Sequence, residues 1–178
     1  MQSDAAFRSA LAKARVTERT VAAWLMSKEW LVLPTYDFSG KSDDKAPKLM
    51  AESPDESLVI PDLLCARRGE VRWVEVKEKD SASYTNITGR FETGISLRLW
   101  EHYQKVRAAT GAPVWIFFAH NKEDEVRCGE IATLSPKKRI YGGTRMGRAG
   151  MVFFPYHELV FVCRLSDLRA RFPFREAA

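Results

Sequence analysis

The sequence predicts one mixed α/β domain, and three observations lead to this fold class. The 178 residues suit a single domain, and 46% hydrophobic with 29% charged residues is typical of globular proteins. Apolar runs of strand length occur together with longer segments that have helical periodicity. Their order is helix, three strands, helix, strand, then further strands and a short last helix, without an internal repeat. This order indicates a mixed sheet with helices packed on it.

The first predicted helix covers residues 4–29, which are rich in Ala and contain neither Gly nor Pro. Val21 and Leu25 recur on one face at helical spacing. Glu18 lies one helical step before Val21, on the same side. Two interpretations of Glu18 stay open: an acid that points across the sheet, or an acid that complements the dipole of a second helix beginning near Thr17.

Three apolar runs predict the first three strands, at residues 30–33, 58–65 and 71–78. Pro61 would remove one ladder hydrogen bond, which predicts a bulge or an edge position in the second strand. Residues 35–57 are polar and predict a long loop.

The second half of the chain begins with residues 79–94, which are polar and predicted to be irregular. Residues 95–109 form an amphipathic pattern, and Gly111 follows as a helix end. The continuous apolar run 114–119 predicts a buried central strand. The remaining predicted elements are three strands and a short helix, at 126–134, 151–154, 159–163 and, capped by Ser166, 167–171.

Three charged residues interrupt the apolar strands, where unpaired charges are costly: Asp62, Glu75 and Lys77. Strand alternation places Glu75 and Lys77 on one face, with Val74 and Val76 directed to a core. If the second and third strands pair as a hairpin, Asp62 reaches the same charged face. Two carboxylates and an ammonium group at one place predict a site for a hard divalent cation and an attacking water.

Roles for these residues follow from the same chemistry. Asp62 and Glu75 are the predicted metal ligands, together with the backbone carbonyl of Val76. Lys77 is predicted to orient the water or to accept its proton. Glu18 is the candidate third acid at this site.

The net charge of +5 favours a polyanionic partner. A segment without acidic residues, 137–148, contains five of the basic residues: Lys137, Lys138, Arg139, Arg145 and Arg148. This segment is predicted to be a basic loop that contacts backbone phosphates, and the alternative is a solvated basic hairpin. Lys79 shares the predicted strand face of Lys77, where it can contact a neighbouring phosphate.

Other classes of site and location are disfavoured. The three cysteines lack the spacing of a zinc site, and the Gly-rich segment 142–148 lacks the ending of a phosphate-binding P-loop. No run approaches the about 20 apolar residues of a membrane span. The first residues lack the pattern of a secretory signal, so an intracellular protein without membrane contact is expected.

The motif Ile60-Pro61-Asp62 followed by Glu75-Val76-Lys77 resembles the signature of the PD-(D/E)xK nuclease superfamily, which includes restriction endonucleases and archaeal Holliday-junction resolvases. The order predicted for residues 18–119 is similar to the αβββαβ core of that superfamily, and Glu18 matches its leading-helix acid. The resemblance implies a restriction-endonuclease-like core, followed here by extra strands and a short helix. It also implies Mg²⁺, with Mn²⁺ as a substitute, at Asp62 and Glu75, a catalytic Lys77, and support from Glu18.

The expected function is therefore a metal-dependent deoxyribonuclease, an endonuclease that acts on duplex or branched DNA. A homodimer is expected where both strands are cut together. Residues 1–178 are predicted to form one nuclease domain, with a core at about 4–119 and a C-terminal extension at 120–178 that carries the basic loop 137–148. The alternatives are a non-catalytic nucleic-acid- or protein-binding module, or the nuclease subunit of a larger recombination or transposition complex.

Overall fold

The computed structural model describes residues 4–35, 48–50, 57–144 and 147–173, with the side chains of 14–35, 48–50, 57–137 and 150–173. The helices are α1 (Asp4–Ser27), α2 (Leu97–Thr110) and α3 (Leu165–Arg171), with a 3-10 turn at Tyr156–Glu158. The strands are β1 (Leu31–Pro34), β2 (Lys48–Leu49), β3 (Leu58–Val59), β4 (Leu63–Arg67), β5 (Glu70–Lys79), β6 (Ser83–Thr85), β7 (Arg90–Ser96), β8 (Val114–His120), β9 (Glu125–Glu130), β10 (Lys137–Thr144), β11 (Gly147–Pro155) and β12 (Val160–Arg164).

The central sheet has the strand order β1-β4-β5-β8-β9-β12. Strands β5 and β8 are parallel, and the other neighbouring pairs are antiparallel. The connection from β5 to β8 passes through β6, β7 and α2. The core elements α1, β1, β4, β5, α2 and β8 follow the αβββαβ order, so the predicted fold class is confirmed.

Because side chains alternate along β5, this strand contributes residues to an apolar layer on each face of the central sheet. Val74 and Val76 pack with α1 and α3 on one face of the central sheet. Trp73 packs with α2 and with a second sheet on the opposite face. Because burial of apolar surface is the main stabilising contribution to folding, these two layers hold β5 in the middle of the molecule.

The second sheet has the strand order β10-β11-β7-β6. Its strands β7 and β11 approach closely at Gly94, where a Cβ atom would lie 2.3 Å from the carbonyl oxygen of Val152. Two predictions about this region were wrong. Residues 79–94, expected to be irregular, contain β6 and most of β7, and most of the basic segment 137–148 forms β10 and the start of β11 instead of a loop.

Two local predictions also differ from the structure. The expected strand 58–65 is divided into β3, which pairs with β2, and β4, with Pro61 and Asp62 between them. The predicted first helix is confirmed, because α1 is continuous through Thr17 and no second helix begins there. Ser166 lies inside α3 and does not cap it, because its hydroxyl donates to Asp124 Oδ2 at 2.6 Å.

The predicted end of the second helix is confirmed, since Gly111 has the left-handed φ of 68°. None of the helices in the described residues combines the length and the apolarity that crossing a bilayer requires.

Candidate active site

The candidate site lies where β4 stops pairing with β5. The β4–β5 ladder runs from Arg67 opposite Glu70 to Leu63 opposite Val74. Beyond Val74, the backbone N–H of Val76 donates to Asp62 Oδ2 at 2.8 Å. The Asp62 carboxylate therefore binds the edge of β5 that β4 leaves unpaired.

The backbone around Asp62 is fixed by Thr35, which follows β1. The N–H of Thr35 donates to the carbonyl of Asp62 at 2.9 Å. Its hydroxyl lies 2.9 Å from the carbonyls of both Pro61 and Asp62. These contacts hold the turn between β3 and β4, so the Asp62 carboxylate keeps a defined position.

Glu75 and Lys77 lie on the face of β5 that is directed to α2. Glu75 is only 1% exposed, and the Lys77 ammonium pairs with Glu75 Oε1. From α2, the buried Tyr103 interacts with Glu75 through its hydroxyl. The pKa of Tyr103 is raised by burial and by the negative charges of Glu75 and Asp62, so the hydroxyl stays protonated as a donor.

Glu18 reaches the same place from α1. It is buried, and its charge interacts with those of Lys77 and Glu75. The preceding residue, Thr17, donates from its hydroxyl to Glu78 Oε2 at 2.7 Å. Because Glu78 lies on β5 next to Lys77, this hydrogen bond fixes α1 relative to the site.

The pKa values of the acidic residues show that ionised carboxylates are unfavourable at this buried place. Burial raises the pKa of Glu18 to about 7, although Lys77 opposes the shift. Burial and the charge of Glu75 also raise the pKa of Asp62 well above its ordinary value. Burial alone would lower the pKa of Lys77, but the charges of Glu75 and Asp62 outweigh it and raise the pKa, which favours the ammonium form.

Whether these residues suit a metal depends on their free donor atoms. Glu18 Oε2 and Glu75 Oε2 are buried and lack a hydrogen-bond partner among the described residues. In the same part of the chain, no three His, Cys, Asp or Glu side chains are grouped as a metal cage. Mg²⁺ is usually held by one or two carboxylates with waters and substrate phosphates. The donor atoms of Asp62 and Glu75 fit such an ion.

The predicted phosphate-binding residues are placed differently. Lys79 is partly buried on β5, and burial together with the charge of Lys77 lowers its pKa. Lys137 lines a cavity of about 270 Å³ with Arg90 and Glu92, on the face of the second sheet directed away from the central sheet. Lys138, Arg139 and Arg148 lie in β10 and β11, but their side chains, like all of Arg145, lie outside the described residues.

Two parts of the site were not assigned from the sequence. Tyr103 lies within the amphipathic helix predicted for residues 95–109, but its contact with Glu75 depends on how α2 packs. Glu78 also receives hydrogen bonds from Asn121 at 2.9 Å and Arg169 at 3.4 Å. These three residues and Val16 line a cavity of about 360 Å³. The sequence contains an indication of a role for Glu78, because this residue belongs to the charged end of the predicted third strand.

Comparisons with known proteins give matches among solved structures. No family model matches the chain, and no match was found among curated proteins. Among solved structures, the chain is similar to Hjc, a Holliday junction resolvase from the archaeal hyperthermophile Archaeoglobus fulgidus. The TM-score is 0.48 at 12% sequence identity, over 87% of this chain and 97% of that chain.

Proposed function

We propose that this protein is a metal-dependent nuclease that hydrolyses phosphodiester bonds in DNA. The observation that carries the proposal is that Asp62 binds the unpaired edge of β5 next to the pair of Lys77 with the buried Glu75, while the buried Glu18 interacts with this pair from α1. A fold gains no stability from placing three carboxylates together, and such costly arrangements are concentrated at functional sites.

Asp62 and Glu75 would hold Mg²⁺, or Mn²⁺ in its place, with the backbone carbonyl of Val76. When bound there, the ion would lower the pKa of a water and offset the charge of the phosphate. Lys77 orients the attacking water through its ammonium group, and Glu75 holds that ammonium in position. Glu18 accepts a hydrogen bond from water at the site through its unpartnered oxygen.

The substrate would approach from the end of β5 that carries Lys77 and Lys79. Lys79 contacts a phosphate beside the scissile bond, and the basic residues 137–148 contact phosphates farther along the DNA. In this proposal the whole chain acts as one nuclease domain, and two copies act together where both strands are cut.

The first test measures cleavage with Mg²⁺ by the purified protein and by two variants, Lys77→Ala and Asp62→Ala. The substrates are linear duplex, nicked, flapped and four-way-junction DNA. We expect both variants to lose at least about 100-fold in cleavage rate, as when one electrostatic contact to a transition state is removed. Lys137→Ala, distant from the cluster, is the control and should only weaken DNA binding. Undiminished cleavage by both site variants would exclude this mechanism.

A second candidate is a non-catalytic DNA-binding module with the same fold. It is favoured by the absence, among the described residues, of a three-ligand group, and by the pairing of Lys77 with Glu75. Titration calorimetry with Mn²⁺ separates the two functions. Binding of one ion that is lost in Asp62→Ala supports the nuclease, whereas no binding at millimolar Mn²⁺ supports the module.

A further inference from the structure

The hairpin formed by β6 and β7 carries three large exposed apolar side chains. Tyr84 is 57% exposed, Phe91 55% and Ile87 82%. Tyr84 and Phe91 are cross-strand partners, with ring centroids 5.4 Å apart at an interplanar angle of 69°. Exposed apolar groups that cluster on one surface element indicate a binding site more than isolated ones do.

Local hydrogen bonds make this hairpin rigid. Thr85 and Thr88 donate from their hydroxyls to the two oxygens of the buried Glu92, at 3.0 and 2.8 Å. The N–H of Gly89 donates to the carbonyl of Thr85 at 2.8 Å, which closes the turn. The backbone that carries the two rings is therefore ordered before any partner binds, and this lowers the entropy cost of binding.

The register of the strands shows which side of the molecule the rings occupy. Phe91 and Thr93 are two residues apart on β7 and so share a face. Thr93 lies 3.1 Å from the ring of His120, and His120 is the β8 partner of Lys79. Lys79 in turn shares its face of β5 with Lys77. The rings thus lie on the side of the molecule that carries these two lysines, beyond the end of β5.

We propose that Tyr84 and Phe91 form a stacking platform for unpaired bases of a DNA strand whose phosphates contact Lys79. Flat aromatic rings beside positive charges are the combination that binds single-stranded DNA, because every base has a π-face and every nucleotide a negative charge. The platform selects substrates that contain unpaired nucleotides, and in this way it extends the proposed nuclease function. The choice of DNA as the partner rests on that proposed function.

The test measures DNA binding by fluorescence anisotropy in EDTA, where cleavage is not needed. The probes are an oligothymidine strand and a fully paired duplex. The double variant Tyr84→Ala/Phe91→Ala should lose at least about tenfold in affinity for the single strand and no more than about twofold for the duplex. Tyr84→Phe, which keeps the ring, should bind like the wild type. Phe161→Ala removes a ring that is 47% exposed on β12, and it serves as the matched control.

Several outcomes would overturn the platform. The wild type does not bind the single strand, the double variant loses equal affinity for both probes, or the double variant loses no affinity for the single strand. A lower mass in solution for the double variant would also overturn it, because the rings would then contact a second copy. Urea unfolding of each variant verifies the fold, and the single variant Tyr84→Ala replaces the double variant if that does not fold.

The platform and the nuclease function can fail separately. The loss of affinity for the single strand should persist in an Asp62→Ala background, because the rings lie beyond the end of β5 and not beside Asp62. If that loss is found while no substrate is cleaved, the platform stands and the nuclease proposal fails. If the protein cleaves DNA and the double variant binds normally, the platform is wrong and the nuclease proposal stands.

Discussion

Two glutamates, Glu75 on β5 and Glu92 on β7, are equally buried, at 1% exposure each, and yet their surroundings differ. Both oxygens of Glu92 accept hydrogen bonds from neutral hydroxyls, those of Thr85 and Thr88. Glu75 has one oxygen paired with Lys77 and one without a hydrogen-bond partner among the described residues. Burial of a carboxylate therefore does not identify a reactive site, whereas the nature of its partners does.

The difference extends to the neighbouring residues. Around Glu75, the fold adds Asp62 and Glu18, whose pKa values are raised by burial and by like charges. Around Glu92, it adds threonine hydroxyls that donate to both carboxylate oxygens. We call these two places the carboxylate cluster (Glu18, Asp62, Glu75 and Lys77) and the threonine region (Thr85, Thr88, Glu92, Thr93 and His120). The first places charged groups together, whereas in the second both carboxylate oxygens accept hydrogen bonds from hydroxyls.

The largest expected effect comes from replacing each glutamate by glutamine. Glu75→Gln should lower the cleavage rate at least about 100-fold, because it removes a proposed metal ligand and the partner of Lys77. Glu92→Gln should leave cleavage per folded molecule unchanged. It should lower the free energy of unfolding by about 1–2 kcal/mol, because an amide nitrogen cannot accept a hydroxyl hydrogen bond. Cleavage assays and urea unfolding measure the two effects.

The free energy of unfolding of Glu75→Gln gives a second comparison between the two glutamates. Glutamine at this position relieves repulsion with Asp62 and Glu18, so the variant should lose less unfolding free energy than Glu92→Gln. A loss of cleavage in Glu92→Gln as large as in Glu75→Gln would show that the two regions do not differ in function.

The sequence predicted those parts of the site that depend on local periodicity. Alternation along β5 placed Glu75 and Lys77 on one face, and the predicted hairpin with Asp62 corresponds to the observed β4–β5 pairing. Helical spacing placed Glu18 on the buried side of α1. These relations need only the repeat of one element, or the pairing of two runs that are close in sequence.

The remaining features depend on contacts between distant segments. Tyr103 reaches Glu75 only because α2 packs on β5, and Thr17 meets Glu78 across 61 positions of sequence. The strands β6 and β7 were missed because their polar composition resembles a loop. Tertiary pairing of β7 with β11 overrides that weak local preference.

The two regions should also differ in how their stability depends on pH. The pKa of Glu18, ordinarily 4.5, is raised by burial to about 7, so between these values the folded protein holds a proton that the unfolded chain releases. Its contribution to stability therefore decreases as the pH rises. Burial lowers the pKa of His120 from 6.5 to about 4, so the unfolded chain holds the extra proton. The contribution of His120 therefore increases as the pH rises.

Variants separate these opposing contributions when urea unfolding is measured in EDTA from pH 4.5 to 7. Relative to the wild type, Glu18→Gln should gain about 2 kcal/mol of unfolding free energy as the pH rises across this range. His120→Asn should instead lose about 2 kcal/mol relative to the wild type over the same rise. Parallel pH profiles for a variant and the wild type would show that the replaced group does not titrate differently on folding.

The smallest expected effect concerns two buried threonines on α1 that differ in their partners. Thr17 donates to Glu78 on β5, whereas Thr20 donates to the carbonyl of Val16 within the same helix, each at 2.7 Å. Replacement of either by valine should cost about 1 kcal/mol of unfolding free energy, the typical contribution of one hydrogen bond. Only Thr17→Val should also reduce cleavage, by about tenfold in kcat with KM little changed, because it loosens the contact that positions Glu18 in the carboxylate cluster. Equal cleavage by the two variants would mean that the Thr17–Glu78 bond stabilises the fold without positioning the site.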